Sequence, residues 1–280
     1  MNKILRSFLP FFLLGVVVLS GCRKDIIDKI DPPAVQEVIE TQPPRLFPIV
    51  ANINPKVKGY YVGLPAGYDQ TDKKYPAIVW IHGAGQFGNG NSNLALLLRE
   101  GIPKHFADKS IPPNFKVAGK NFSFILFTPQ FVGYPTNDEV KSFVDSVKKK
   151  YRVDIARVYM AGMSIGGIIT CDVASSHPNE YSAILPMGGV SRPGTDVAGK
   201  TKRIATGKLP VWIFHNQDDF VYPVSEPISF VSLINKHSPP VRAKITIFPN
   251  GGHDAWARPS DPLYKENNIS IYEWMLQYKR

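Results

Sequence analysis

Ser164 stands between glycines in Gly162-Met163-Ser164-Ile165-Gly166, with Gly167 following. Val158-Tyr159-Met160 before it is apolar enough for a buried strand, and Ile165-Gly166-Gly167-Ile168-Ile169-Thr170-Cys171 after it opens as a helix. A serine held on a sharp strand-to-helix turn takes strained backbone angles, and small flanking residues are what let strand and helix approach so closely. The turn lifts the hydroxyl clear of the sheet and sets the backbone N–H of Ile165 beside it. The chemistry this suits is nucleophilic attack on an acyl carbon. Serine is a weak nucleophile at neutral pH, so a general base and a group that orients it are required.

The chain has six histidines. His105, His177 and His237 lie in polar, helix-end contexts and read as surface residues, whereas His82 and His215 end apolar strands and read as supports. His253 is different, since Gly251-Gly252-His253-Asp254-Ala255-Trp256 forms a glycine-rich loop after the last apolar run and before the C-terminal helix. It is the expected base. Two adjacent carboxylates, Asp218 and Asp219, lie between His215 and Pro223 and are the candidates to orient it. An acyl-transfer site also needs two backbone donors for the oxyanion, and the serine turn supplies one. His82-Gly83-Ala84-Gly85 leaves an apolar strand upstream; Ala84 is the expected second donor, with Gly85 the next choice.

The elements that must position these groups alternate. Residues 57–64 read as a strand, and near-continuous apolar runs at 75–81, 122–127, 158–160, 183–185, 211–214 and 245–248 read as strands covered on both faces. Helical patterns at 92–105, 138–150, 165–175, 226–236 and 262–278 fall between them, with 194–208 read as a connection. Alternation of this kind predicts a mostly parallel sheet with helices on both faces, an α/β fold. The stretch from Ser164 to Asp219 leaves no room for a large cap domain.

At the N-terminus, Lys3 and Arg6 precede a short apolar run broken by Pro10 and Gly15, too short to span a bilayer but suited to a secretory signal. It ends in Leu19-Ser20-Gly21-Cys22, which resembles the lipobox of bacterial lipoproteins, and that resemblance implies a diacylated Cys22 as the new N-terminus. Residues 1–21 are then the signal peptide. Residues 22–45 carry Pro32, Pro33, Pro43 and Pro44 among acidic residues and read as a tether, with the catalytic domain at 46–280. The expected location is a bacterial membrane, at its periplasmic face or the cell surface, with membrane contact only through the N-terminal lipid. Acylation of Cys22 leaves Cys171, the other of two cysteines, without a disulfide partner. Net charge is +10, but the lysines are dispersed and no aromatic-interleaved basic stripe appears, so no nucleic-acid partner is expected.

Together, Ser164 to Gly167, Val153 to Tyr159, Phe127-Thr128-Pro129-Gln130 and Gly252-His253-Asp254-Ala255-Trp256 resemble the esterase branch of the α/β hydrolases. The nearest families there are feruloyl and acetyl-xylan esterases, polyhydroxybutyrate depolymerases and proteins called predicted peptidases. The similarity covers about 57–280, departing where Ala84 stands for a commoner glycine and where Met163 and Ile165 flank the serine. It implies a single-domain esterase needing no metal and no cofactor, with an Asp midway between His215 and Pro223, which selects Asp219 over Asp218. Chain order is then Ser164, Asp219, His253, as the hydrolase fold requires. The expected reaction is hydrolysis of carboxylic esters, small or polymeric, with acyl groups on carbohydrate as the leading substrate. Phe131, Phe220 and Trp256 are the aromatic residues expected to contact it. The alternatives are a serine peptidase of the same fold and a non-catalytic glycan-binding lipoprotein.

Overall fold

Every residue of Tyr75–Ile81 (β3) is buried, as is every residue of Ile125–Phe131 (β6), the burial demanded of strands covered on both faces. Side chains alternate between two cores: Ala77, Val79 and Ile81 enter one, Ile78 and Trp80 the other. The computed structural model describes residues 39–280. The expected signal peptide, Cys22 and most of the expected tether lie outside the described residues.

Arg45–Val50 (β1), Val57–Leu64 (β2), Val153–Met163 (β7), Ala183–Met187 (β8), Trp212–Asn216 (β9) and Lys244–Phe248 (β10) complete an eight-stranded sheet in the order β1-β2-β6-β3-β7-β8-β9-β10. β1 and β2 run antiparallel at one edge, and the strands from β6 to β10 are parallel. Chain order moves outward to β6 on one side of β3 and to β7 on the other. Ligands of open α/β sheets bind outside the strand carboxyl ends at such a switch point. Here Ile81 pairs with Gly162, so the exits of β3 and β7 lie side by side.

Asn137–Lys150 (α2), Ile165–Ser176 (α3), Val197–Thr206 (α4) and Ser225–Lys236 (α5) supply one core, while Gly101–Ala107 (α1) and Ile271–Leu276 (α6) close the other. Thr136 and Glu139 form a capping box on α2. Cys171 is buried within α3, where burial pushes its thiol pKa up.

Several elements differ from expectation for local reasons. The helix expected over 92–105 is a 3-10 turn (Leu94–Leu98) followed by α1. Gly101 divides them at φ +63°, and a Cβ there would lie 2.1 Å from the Trp80 ring. The helix expected from 262 begins only at Ile271, because Asn267 and Asn268 adopt left-handed angles and Ser270 with Glu273 makes a capping box. The connection at 194–208 contains α4, capped by the Asp196 side chain. The run at 122–127 is split between a short hairpin (Phe115–Val117 as β4, Lys120–Phe122 as β5) and β6. Ahead of residue 46, Glu40 is already buried, its carboxylate accepting the Gly67 N–H at 2.7 Å and the Tyr75 hydroxyl at 3.3 Å.

Candidate active site

Ser164 holds φ +54° and ψ −122°, angles that an L-residue rarely adopts. Main-chain crowding explains why its neighbours are glycines. A Cβ on Gly162 would lie 2.4 Å from the carbonyl oxygen of Gly166, and one on Gly166 would lie 2.1 Å from that of Ile81. The Ser164 N–H donates to Met187 O at 2.7 Å, fixing the turn to β8 as well.

Ser164 Oγ lies 2.8 Å from His253 Nε2, and His253 Nδ1 lies 2.8 Å from Asp219 Oδ2. The structure thus brings together the three residues expected from the sequence. The Asp219 side chain has no exposed surface, and its second oxygen accepts the N–H groups of Val221 and Tyr222 at 2.8 and 3.0 Å. One carboxylate oxygen is spent on holding its own turn and the other faces the imidazole. A carboxylate on Nδ1 leaves Nε2 as the unprotonated nitrogen, free to accept the serine proton. Trp256 meets the imidazole edge-on at a centroid distance of 5.3 Å, and Tyr222 lies tilted at 5.6 Å.

Asp218, adjacent in sequence, turns the other way. Its two oxygens accept the N–H groups of Gly251 and Gly252 at 3.2 and 2.9 Å.

Ile165 is the first residue of α3, and Ala84 is the first residue of a 3-10 turn (Ala84–Gln86). First-turn N–H groups have no intrahelical acceptor, and that of Ile165 also sits at the positive end of the α3 dipole. Both residues line a cavity of about 430 Å³ with Ser164 and His253. A Cβ on Gly83 would lie 3.7 Å from Ser164 Cβ, which measures how closely this loop passes the serine. His82 supports the loop from below: fully buried, its Nδ1 lies 2.7 Å from Gly83 O and its Nε2 accepts the Phe131 N–H.

The expected aromatic contacts divide. Trp256 lines the cavity, and Phe220 stands 83% exposed beside the His253 loop. Phe131 does not serve: it is fully buried at the end of β6, its ring tilted against His82 at 5.3 Å, so it faces core and not cleft. The sequence reading missed Arg99 and Glu100, which also line the cavity; Glu100 accepts the Trp256 indole N–H at 2.9 Å. They follow a leucine-rich stretch that carries no chemical motif, so only tertiary structure reveals them. A larger hollow of about 730 Å³, beside Phe47, Tyr61 and Phe106, shares no residue with this cavity.

Among solved structures, a mutant of the feruloyl esterase module from Clostridium thermocellum, complexed with sinapinate, covers 83% of this chain and 92% of its own, with a TM-score of 0.58 at 16% identity. The chain has the α/β-hydrolase fold. A family model described as phospholipase/carboxylesterase matches residues 135–265, the part of this hydrolase fold that holds Ser164, Asp219 and His253. A bifunctional acetylxylan esterase/xylanase of Neocallimastix patriciarum is 28% identical over 138 residues, which is 48% of this chain and 17% of that protein. A poly(3-hydroxyalkanoate) depolymerase C of Paucimonas lemoignei is 32% identical over 50 residues, or 18% of this chain and 12% of that protein. The chain therefore spans less than a fifth of either curated relative. These similarities support the esterase-branch resemblance and a hydrolase.

Proposed function

We propose that this chain is a serine esterase that cleaves carboxylic esters through an acyl-enzyme. The observation that carries the reading is the continuous line Ser164 Oγ, His253 Nε2, His253 Nδ1, Asp219 Oδ2, with both hydrogen bonds at 2.8 Å. Ser164 attacks the ester carbonyl carbon while His253 takes its proton, and Asp219 stabilises the resulting imidazolium and keeps its orientation. The N–H groups of Ile165 and Ala84 hold the oxyanion of the tetrahedral intermediate. Donors of this kind are each worth about 10²–10³ in turnover. On collapse, His253 protonates the departing alcohol. Water then attacks the acyl-enzyme, giving its proton to His253, and the released Ser164 recovers it.

The substrate in this proposal is an acyl group carried on carbohydrate. Similarity to an acetylxylan esterase and to a feruloyl esterase module supports it. So do the Trp256 and Tyr222 side chains lining the cavity, surfaces suited to a sugar or aryl ring. The proposal also includes export and anchoring to a bacterial membrane through a lipid on Cys22, motivated by the Leu19-Ser20-Gly21-Cys22 ending.

The test is covalent labelling with a fluorophosphonate, alongside turnover of p-nitrophenyl acetate, methyl ferulate, acetylated xylan and a peptide anilide. Ser164→Ala is expected to lose labelling and ester turnover while keeping its circular dichroism spectrum. Normal labelling of that variant removes Ser164 as the nucleophile. Turnover confined to the anilide replaces the esterase reading with a peptidase one.

A further inference from the structure

We propose that Asp218 is the positioning residue for the base, clamping the Gly251–Gly252 turn so that the His253 imidazole stays in register with Ser164. The inference rests on the triad reading above and adds a second task to the Asp218-Asp219 pair.

Two neighbouring carboxylates leave β9 in one turn, closed by the Asp219 N–H on Asn216 O at 3.4 Å, yet they do different things. Asp219 points inward to the imidazole with no exposed surface. Asp218 sits at the surface and takes two successive backbone donors, one on each oxygen: Gly251 N at 3.2 Å on Oδ2 and Gly252 N at 2.9 Å on Oδ1. A charged acceptor makes such bonds stronger than neutral ones.

The turn it grips needs holding. Gly251 and Gly252 adopt φ +140° and +58°, and glycine's conformational freedom gives the two residues before His253 little stiffness of their own. β9 braces this turn from a second direction through Asn216, whose side-chain N–H donates to Gly252 O at 2.9 Å. The fit is close, since a Cβ on Gly251 would lie 2.5 Å from Asn216 Nδ2. Four hydrogen bonds therefore join 216–219 to 251–253: the two from Asp218, the one from Asn216, and the Asp219–His253 bond. Without Asp218, the bond that orients the ring must also hold the loop. Displacement of a catalytic group by 1 Å can cost about 10²-fold in rate.

The experiment compares Asp218→Ala and Asp218→Asn with wild type, Asp219 being intact in both. The alanine variant is expected to lose turnover on the order of tenfold with KM nearly unchanged, part of the 10²-fold range that misplacement spans. The asparagine variant keeps one acceptor oxygen and should fall between. Proton NMR supplies a readout that does not need turnover: the downfield Nδ1–H resonance of His253 should broaden in the alanine variant and exchange faster with water. Rates are taken per fluorophosphonate-titrated site, so misfolded protein does not count as slow protein. Wild-type turnover per site with a sharp resonance in both variants overturns the proposal, as does a loss that vanishes once sites are counted. If the alanine variant fails to fold, the asparagine variant decides on the same two measurements. If wild type itself takes no label, the triad reading has failed, and the resonance alone judges whether Asp218 holds the imidazole.

Discussion

His82 Nε2 accepts the main-chain N–H of Phe131 at 3.1 Å, tying the exit of β3 to the end of β6. The same ring uses its Nδ1–H on Gly83 O at 2.7 Å, so the loop from His82 to Gly85 hangs from one neutral imidazole. Burial pushes the His82 pKa down to about 4, against 6.5 for the ordinary group. The proton therefore binds the unfolded chain more readily than the folded one across that interval.

Stability should accordingly fall as pH drops from about 6.5 toward 4, because over that window the unfolded state holds more protons. Urea unfolding at pH 7, 5.5 and 4.5 checks it against His82→Leu. The variant is expected to be less stable at pH 7, since Phe131 N–H and Gly83 O lose their partner, and to show a flatter dependence on pH. Parallel curves for the two proteins would remove His82 as the source.

Ser164 holds a backbone conformation that costs an L-residue on the order of 1–3 kcal/mol. Ser164→Gly relieves this while abolishing the nucleophile. We expect an inactive protein stabilised by about 1 kcal/mol, the strain relief being offset in part by glycine's greater unfolded-state entropy. Calorimetry reads it directly. A lower melting temperature would mean that the Ser164–His253 contact outweighs the strain.

The adjacent aspartates predict unequal losses. Asp219→Asn removes the partner that holds the imidazole tautomer, a role whose loss in such a triad costs about 10⁴ in turnover. Asp218→Asn should cost far less, because the clamp acts on the loop and leaves the tautomer alone. Steady-state kinetics on both variants decide it. Were Asp218→Asn the inactive one, with Asp219→Asn still active, the triad assignment would be off by one residue.

Cys22→Ser tests the anchor. The variant is expected to leave the membrane fraction or to retain its signal segment unprocessed, and a mass shift of a diacylglycerol should disappear from the N-terminal peptide. Unchanged fractionation with no lipid on Cys22 would refute the proposed anchoring.

Ser164 and His253 were legible because each sits in a short pattern with its own physical cause, a glycine-flanked turn and a glycine-rich loop; the strand exit offered Asp218 and Asp219 alike, and only the family resemblance selected Asp219. The central strands were legible because burial on both faces forces continuous apolar runs. What stayed hidden depended on partners far along the chain. β1 contains Pro48 and pairs only with β2, so an edge position tolerates a sequence that does not read as a strand. The break at Gly101 is dictated by the Trp80 ring behind it. Phe131, expected among the substrate contacts, has its direction set by the pleat of β6 and by His82. Arg99 and Glu100 reach the site only through the fold, as the Glu100–Trp256 bond shows.

The close approach of Gly166 to Ile81 O, and of Gly162 to Gly166, has an evolutionary corollary. The Ser164 hydroxyl is located by peptide units pressing on peptide units, not by the side chains around the opening. Arg99 and Val221 on the cavity wall can therefore be exchanged for other residues without shifting Ser164. A lineage built on this scaffold can change which molecules enter while the serine hydroxyl stays where it is, so new preferences need not wait for a rebuilt turn.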